Sequence, residues 1–276
     1  MTLLIIGGSG FLGSELVRQA AAAGQATAAT FATRPGRTPG VAWHALDLRD
    51  PESVEAVMAE VEPRLIVNAA SSQDDWAATA EGPVRLAMSA ARYGSRLVHV
   101  SSDAVFSGDR VHYNESCVPD PVTPYGAAKA AAETGVRLVH PEAGIARTSL
   151  IIGDRRSVHV RMVHDLAAGA RSGVLFTDDI RCPVHVADLA AALLELAFSD
   201  ARGVHHLAGA HAISRHELGT LIARRDGLDA SRLLSGLRSD SALRGAIDVR
   251  LDSRVTQHKL LRTTLRGARQ FLAVPD

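Results

Sequence analysis

The sequence predicts an α/β fold, a doubly wound parallel sheet with a smaller C-terminal lobe, on three observations. A short apolar run, Leu3-Leu4-Ile5-Ile6, leads straight into Gly7-Gly8-Ser9-Gly10-Phe11-Leu12-Gly13, and an Ala-rich helical stretch follows to about Ala23. Strand-length apolar runs then alternate with helix-length segments as far as Ile152. Alternation of this kind implies parallel strands covered by helices on both faces. Several of the runs also end in small or polar residues, Asn68-Ala69-Ala70 and Ser101-Ser102-Asp103 among them. The carboxyl ends of strands are where open α/β sheets place their ligands.

Composition narrows the function classes. The chain has 276 residues, 46% of them hydrophobic, which is enough for one large core or two modest ones. Aromatic residues make up only 4%, against an aromatic platform for nucleic acid. Lys+Arg and Asp+Glu are both 30, so no global field steers the chain to nucleic acid or an anionic membrane. Cys117 and Cys182 have no zinc-ligand spacing and read as two free thiols, although the spacing alone does not forbid a disulfide. No basic n-region precedes Leu3, and the longest apolar stretch, Leu189 to Phe198, carries Glu195 and is too short to span a bilayer. The expectation is a cytoplasmic protein without membrane, metal or nucleic-acid partners.

In chain order, the first strand covers Thr2 to Ile6. In the turn that follows, Gly7 permits the sharp bend, Gly10 lets backbone approach a pyrophosphate, and Gly13 allows close helix–strand packing. The helix N-terminus then offers free N–H groups and a positive dipole end to phosphates. Strand, glycine turn and helix together predict a Rossmann-type dinucleotide site. The second strand is read as Ala26 to Phe31. Near its end, where NAD sites carry an acidic residue for the ribose 2′-OH, stand Thr30, Phe31, Thr33 and Arg34. A missing carboxylate and a nearby guanidinium favour NADP, with NAD as the alternative. Val41 to Leu48 is the third strand, and Asp47 could accept from an adenine amino group or only cap a loop. Asp50-Pro51-Glu52 opens the next helix with an N-cap and proline at N1. Arg64 to Asn68 is the fourth strand, a helix spans about Trp76 to Tyr93, and the fifth strand starts at Arg96 and ends in Ser101-Ser102-Asp103.

Thr123-Pro124-Tyr125-Gly126-Ala127-Ala128-Lys129 carries the chemistry. Tyr125 and Lys129 lie one helical turn apart, so both side chains leave one face. An ammonium beside a phenol lowers the phenol's pKa from about 10. With a hydroxyl from Ser102 at the strand end, this forms a proton-transfer set for a carbonyl oxygen. Further on, Ile145 to Ile152 is read as a sixth strand and Val174 to Phe176 as a short one. Pro183 to Val186 and a helix from Ala187 to Phe198 resume buried patterns, with a last short strand at Val204 to Leu207. Ser214 and Glu217 form a capping box, and the rest is read as helix and loop. The domain reading is 1–153 as the dinucleotide-binding unit, with 183–208 packing back onto it, and 154–182 plus 209–276 as a substrate lobe.

The glycine turn, Asn68-Ala69-Ala70, the Ser-Ser-Asp strand end and Tyr125-xxx-Lys129, in that order, resemble an extended short-chain dehydrogenase/reductase. The branch most similar is that of dTDP-4-dehydrorhamnose reductase and its sugar-nucleotide-binding relatives. Ser102-Asp103-Ala104-Val105-Phe106-Ser107-Gly108 resembles its Thr-Asp-Tyr-Val-Phe-Asp-Gly segment. Tyr113-x-Glu115 with Pro119, Pro121 and Pro124-Tyr125-Gly126 matches its approach to the catalytic helix. Arg147-Thr148-Ser149 and Leu251-Asp252-Ser253 match later segments. Ala104 stands where the branch has tyrosine, and Ser71-Ser72-Gln73 replaces its Ala-Tyr-Thr pattern.

The resemblance implies Ser102, Tyr125 and Lys129 as catalytic residues. It places the cofactor on Gly7, Ser9, Gly10, Phe11, Leu12 and Gly13, on Thr33, Arg34, Asp47 and Leu48, and on Asn68, Ala69, Ala70, Tyr125 and Lys129. Asp103, Ala104 and Arg181 are expected toward the substrate. The implied activity is NADP-dependent reduction of a ketone, most simply the 4-keto group of a dTDP-activated deoxysugar. Reduction of a non-sugar ketone in a biosynthetic pathway, or a non-catalytic NADP-binding partner role like that of the regulatory subunit of methionine adenosyltransferase, are the alternatives. A homodimer through sheet-flanking helices is the assembly that the resemblance implies.

Overall fold

The computed structural model describes residues 1–274. The last two residues of the expected 209–276 segment therefore lie outside the described residues. In chain order the elements that set the site are β1 (Leu3–Ile6), α1 (Phe11–Ala22), β2 (Thr27–Phe31), β3 (Ala42–Ala45), α2 (Pro51–Val61), β4 (Leu65–Asn68), α3 (Gly82–Tyr93), β5 (Arg96–Ser102), β6 (Val111–Tyr113), α4 (Pro124–Val139), β7 (Gly144–Thr148), β8 (Ile151–Ile152), α5 (Val158–Ala168), β9 (Leu175–Phe176), β10 (Ile180–Arg181), β11 (Val184–His185), α6 (Val186–Phe198), β12 (Gly203–Leu207), β13 (Ile213–Ser214), α7 (Arg215–Arg225), β14 (Ser235–Gly236) and β15 (Val249–Leu251).

The central sheet has seven parallel strands in the order β12-β7-β5-β4-β1-β2-β3. The order reverses between β1 and β4, and that switch point is where a doubly wound sheet opens a ligand crevice. Register places Ile6 opposite Asn68 and Asn68 opposite His99, so the strand ends that carry polar residues align at one edge. Two apolar layers cover the faces. One packs α1 and α6 on the sheet through Leu16, Val17, Leu189 and Leu193. The other packs α2, α3 and α4 through Val54, Met58, Leu86 and Val136. β1 is fully enclosed, with Leu3, Leu4 and Ile5 at 0% exposure, which is why it reads as a continuous apolar run rather than an alternating one.

The helix starts follow local chemistry. The Asp50 carboxylate accepts from Glu52 N–H, Pro51 opens α2, and the Thr123 hydroxyl accepts from Gly126 N–H with Pro124 at N1 of α4. Ser214 accepts from Glu217 N–H, but the Glu217 carboxylate bonds Arg269 instead of returning to the cap, so only half of the expected capping box forms. The stretch read as one helix from Trp76 begins as a π-turn over Ala77–Glu81 and becomes α-helical at Gly82. The expected sixth strand is two: β7 joins the main sheet, whereas β8 leaves it and pairs with β11. The sequence reading also missed β6 and β15, which pair with each other in parallel, and β14, which pairs with β9.

A third apolar cluster joins α5, α7, Leu175 and Leu233, away from the sheet faces. A fourth surrounds Phe106, which stacks on Tyr113 with centroids 4.1 Å apart. Cys117 and Cys182 are both free thiols, as expected. No helix among the described residues is long and apolar enough to cross a membrane.

Imidazoles withdrawn from water set an acid limit on this fold, the half-buried His159 and the buried His206 among them. Burial pushes His159 down to about 3 and His206 down to about 4. Both stay neutral when folded at a pH where the unfolded chain protonates them. Stability is therefore lost as pH falls below the ordinary histidine value of about 6.5. We expect the thermal midpoint to drop between pH 6.5 and 4. His206→Phe, placed against the edge of Phe106, should flatten that drop, and an unchanged slope in calorimetry would contradict it.

Candidate active site

The floor of the site is the edge formed by the carboxyl ends of β1, β2, β4 and β5. Gly7 has φ +76°, and a Cβ there would meet Ala70 backbone at 2.9 Å. Only glycine serves the turn between β1 and α1. A Cβ on Gly13 would lie 2.0 Å from the Gly7 carbonyl oxygen, so this glycine is what lets α1 start directly against the turn. The Thr30 hydroxyl, buried under β2, accepts from Gly7 N–H at 3.0 Å and pins the turn to the sheet.

Beside this turn runs a 510 Å³ cleft. Gly7, Thr33, Asp47, Leu48, Ala70 and Ser71 are among its walls. The glycine cradle and the helix N-terminus beside it fit a dinucleotide's pyrophosphate, and the cleft fits its adenosine end. Ser9 and Gly10 are exposed at the mouth of the turn and Phe11 is half-buried, while the Leu12 side chain is in the core, so Leu12 could contribute only backbone. Arg34 is exposed next to Thr33 and makes no hydrogen bond or ion pair among the described residues. Arg156, which sequence reasoning passed over, donates to the Ser14 hydroxyl and lies over the Phe11 ring.

Two residues expected at the cofactor, Asn68 and Asp47, bond within the protein through their side chains. Asn68 is fully buried; its carbonyl accepts from Ala70 N–H and its amide faces His99 Nδ1 at 3.2 Å, so its side chain shapes the strand end rather than meeting a ligand. Burial keeps His99 well below the usual histidine range, hence neutral, and the Asn68 donor places its ring proton on Nε2. The Asp47 carboxylate is held by Arg49, through its Nε and Nη2 and its backbone N–H, a loop-capping arrangement. Arg49, another residue the sequence reading missed, thereby lines the cleft itself.

The reactive groups converge. The half-buried Tyr125 has the hydroxyls of Ser102 and Ser71 near its phenol, where both favour the phenolate, although the phenol itself forms no hydrogen bond among the described residues. Ser102 also accepts from Ala104 N–H at 3.1 Å, which starts the short turn after β5. Lys129 is buried, donates through Nζ to the Val100 carbonyl at 3.0 Å and lies 6.0 Å from the Tyr125 ring centroid. Burial lowers Lys129 to about 8. The expected lowering of the tyrosine is not found: burial, aided by Asp103, raises the phenol above 10.0, against the pull of the two nearby serine hydroxyls. In the chain alone Tyr125 is thus a neutral phenol with a proton to give. Ser71 was missed because its spacing from Tyr125 in sequence carries no signal; only the alignment of the β4 and β5 ends brings them together.

The residues expected toward the substrate divide. Ala104 is half-exposed at the first turn of α4, where a Cβ on Gly126 would come within 2.1 Å of its carbonyl oxygen. Asp103 is buried, accepts from Ser149 at 2.6 Å and faces Arg181 at 3.8 Å. Arg181 is not available to a ligand. Its guanidinium donates to the carbonyls of Ile180, Ala246 and Ile247 and pairs with Asp179 at 2.9 Å, so it acts as a buried strut. No group of His, Cys, Asp and Glu among the described residues is arranged to hold a metal ion.

Residues 1–266 match the family described as RmlD substrate binding domain. A dTDP-4-dehydrorhamnose reductase of Mycobacterium tuberculosis is 32% identical over 248 residues, covering 84% of this chain and 77% of that protein. A hypothetical dTDP-4-dehydrorhamnose reductase of Sulfolobus tokodaii superposes with a TM-score of 0.83 at 27% identity, covering 96% of this chain and 97% of that one. The dTDP-4-dehydrorhamnose reductase of Bacillus anthracis in complex with NADP has the same fold, with a TM-score of 0.82 at 22% identity over 98% of this chain and 96% of that one. Placed on the sheet that carries Tyr125, Lys129 and Ser102 together at one edge, these likenesses make the chain a member of the RmlD substrate-binding domain family.

Proposed function

We propose that this NAD(P)-dependent oxidoreductase reduces the 4-keto group of a dTDP-activated deoxysugar, with NADPH as the preferred donor. The observation that carries the reading is the convergence of a protonated phenol, a buried amine and a strand-end hydroxyl beside a glycine-turn cleft. The cofactor, when bound, supplies the hydride for the carbonyl carbon. Tyr125 holds a proton for the carbonyl oxygen, and its raised pKa keeps that proton on the phenol at neutral pH. Ser102, whose hydroxyl donates to Asp103 at 3.3 Å in the chain alone, would turn that proton to the oxygen as negative charge develops on it. Lys129 puts an ammonium beneath the phenol, which favours charge on the phenol as its proton leaves. The glycine turn and the α1 N-terminus would hold the pyrophosphate, and Thr33 with Arg34 would hold the 2′-phosphate. The segments 154–182 and 209–274, with their own apolar cluster, are the proposed substrate lobe.

General acid catalysis contributes about 10²–10⁴-fold. Tyr125→Phe should therefore bind NADPH as the parent does and lose at least about a hundredfold in turnover of dTDP-4-keto-6-deoxy sugars. Full turnover in a stopped-flow assay would remove Tyr125 from the reaction. A charge-assisted contact to phosphate is worth about 1.5–3 kcal/mol, so Arg34→Ala should weaken NADPH roughly tenfold or more and leave NADH unchanged. Equal losses for both cofactors in fluorescence titrations would place the 2′-phosphate elsewhere.

A further inference from the structure

Beneath the reactive groups lies a buried ion pair that the proposed chemistry does not use directly. Glu133, one turn past Lys129 on α4, is 2% exposed, and Arg147 on β7 is 1% exposed. Arg147 Nη2 donates to Glu133 at 2.7 Å and Nε donates to both carboxylate oxygens, at 3.0 and 3.2 Å. The Ser101 hydroxyl on β5 donates to the same carboxylate at 2.6 Å. Burying two ions costs several kcal/mol each, and a well-packed apolar pair is often as stable, so stability alone does not account for a carboxylate here.

Its position does. On a helix, residues four apart share a face, so Glu133 stands below Lys129 as Lys129 stands below Tyr125. Around the ammonium the groups that can carry charge are Tyr125 and Glu133 on α4, His99 on β5, Asp103 in the turn after β5, and Arg147 on β7. Tyr125 and His99 are neutral, Arg147 has the wrong sign, and Asp103 is engaged by Ser149 and Arg181. The one uncharged partner of Nζ is the Val100 carbonyl.

We infer that Glu133 is a positioning residue for the reduction proposed above, the counter-charge that keeps the buried Lys129 ammonium protonated and seated under Tyr125. Arg147 and Ser101 fix that carboxylate from two neighbouring strands, so its charge stays at one place relative to the strand ends. Glu133 never touches the substrate. Burial lowers Lys129 and the Glu133 charge opposes the fall. Without Glu133 the amine loses its proton at a lower pH, and the phenol loses its support with it.

Lys129 and Lys259 are the only lysines in the sequence, and Lys259 is exposed, so carbon-13 at the lysine ε position reports two NMR signals, assigned through Lys259→Arg. The wild-type Lys129 signal should titrate near pH 8. In Glu133→Gln its midpoint should fall by at least about one pH unit. Should that single variant fail to fold, Glu133→Gln/Arg147→Met removes both charges together, a change buried pairs often tolerate; loss of the guanidinium offsets part of the effect, so a smaller downward shift is expected. The alkaline limb of kcat/KM should move down with the signal. A Lys129 midpoint unchanged from wild type in a folded variant would overturn the inference. Whether the wild-type chain oxidises NADPH with a nucleotide 4-keto sugar is read separately, so the titration judges Glu133 even if that substrate assignment fails.

Discussion

The seating of α4 on the ends of β5 and β7 is the constraint on which the site depends. Three kinds of contact fix it. The Glu133–Arg147 pair ties the middle of the helix to β7, and Ser101 ties the same carboxylate to β5. At the helix start, the absence of a side chain at Gly126 lets the first turn sit against the Ala104 carbonyl. Arg147 also lies over the Phe106 ring, whose other neighbour is Tyr113, so the loop from β5 toward α4 is layered onto the same guanidinium. A helix held by backbone proximity at its start and by a buried charge pair at its middle has little freedom to slide. Tyr125 and Lys129 inherit their positions from that.

The strand ends serve the site by bonding to one another before they bond to anything else. Asn68 satisfies Ala70 and His99, Thr30 satisfies Gly7, and Ser102 satisfies Ala104. In a parallel sheet the last residues of each strand leave backbone groups without ladder partners, and short polar side chains meet that need locally. What is left for a ligand is consequently backbone and hydroxyl, with few free charges. That suits a site whose reactive charges have to be few and placed with care, because each charge in a low-dielectric crevice acts strongly on its neighbours.

Much of this was legible in the sequence for physical reasons. β1 reads as an enclosed strand because both faces are covered, and the glycine turn reads as a phosphate cradle because a Cβ at Gly7 or Gly13 has no room. Caps at Asp50 and Thr123 announce their helices because the bonds involved span only a few residues. What stayed hidden depends on distance along the chain. β6 and β15 are three residues each, and they pair across more than a hundred positions. The same pairing carries Asp252 N–H to the Tyr113 carbonyl, and the Thr256 hydroxyl reaches Glu115. Two segments that looked like separate family signatures are thus one structural joint. The lowered phenol pKa read from Tyr125-xxx-Lys129 failed for a related reason: spacing shows that an amine is near, but not that both groups are buried, and burial raises a phenol.

Arg181 is a charge spent inside the protein. It was expected toward the substrate, yet it spends its donors on three carbonyls and two carboxylates. Asp179, on its far side, also receives Arg215 and Arg238. The chain of charges therefore runs from Asp103 at the end of β5, through Arg181 and Asp179, into α7 and the segment before β15. Along it three guanidiniums face the two carboxylates of Asp103 and Asp179, and the surplus is positive. Burial penalises that surplus, and it lowers the Arg215 pKa accordingly. Such a chain is costly as a source of stability. It does couple the position of Asp103, adjacent to Ser102, to the packing of α7, so the end of β5 is braced by the C-terminal segments as well as by the sheet.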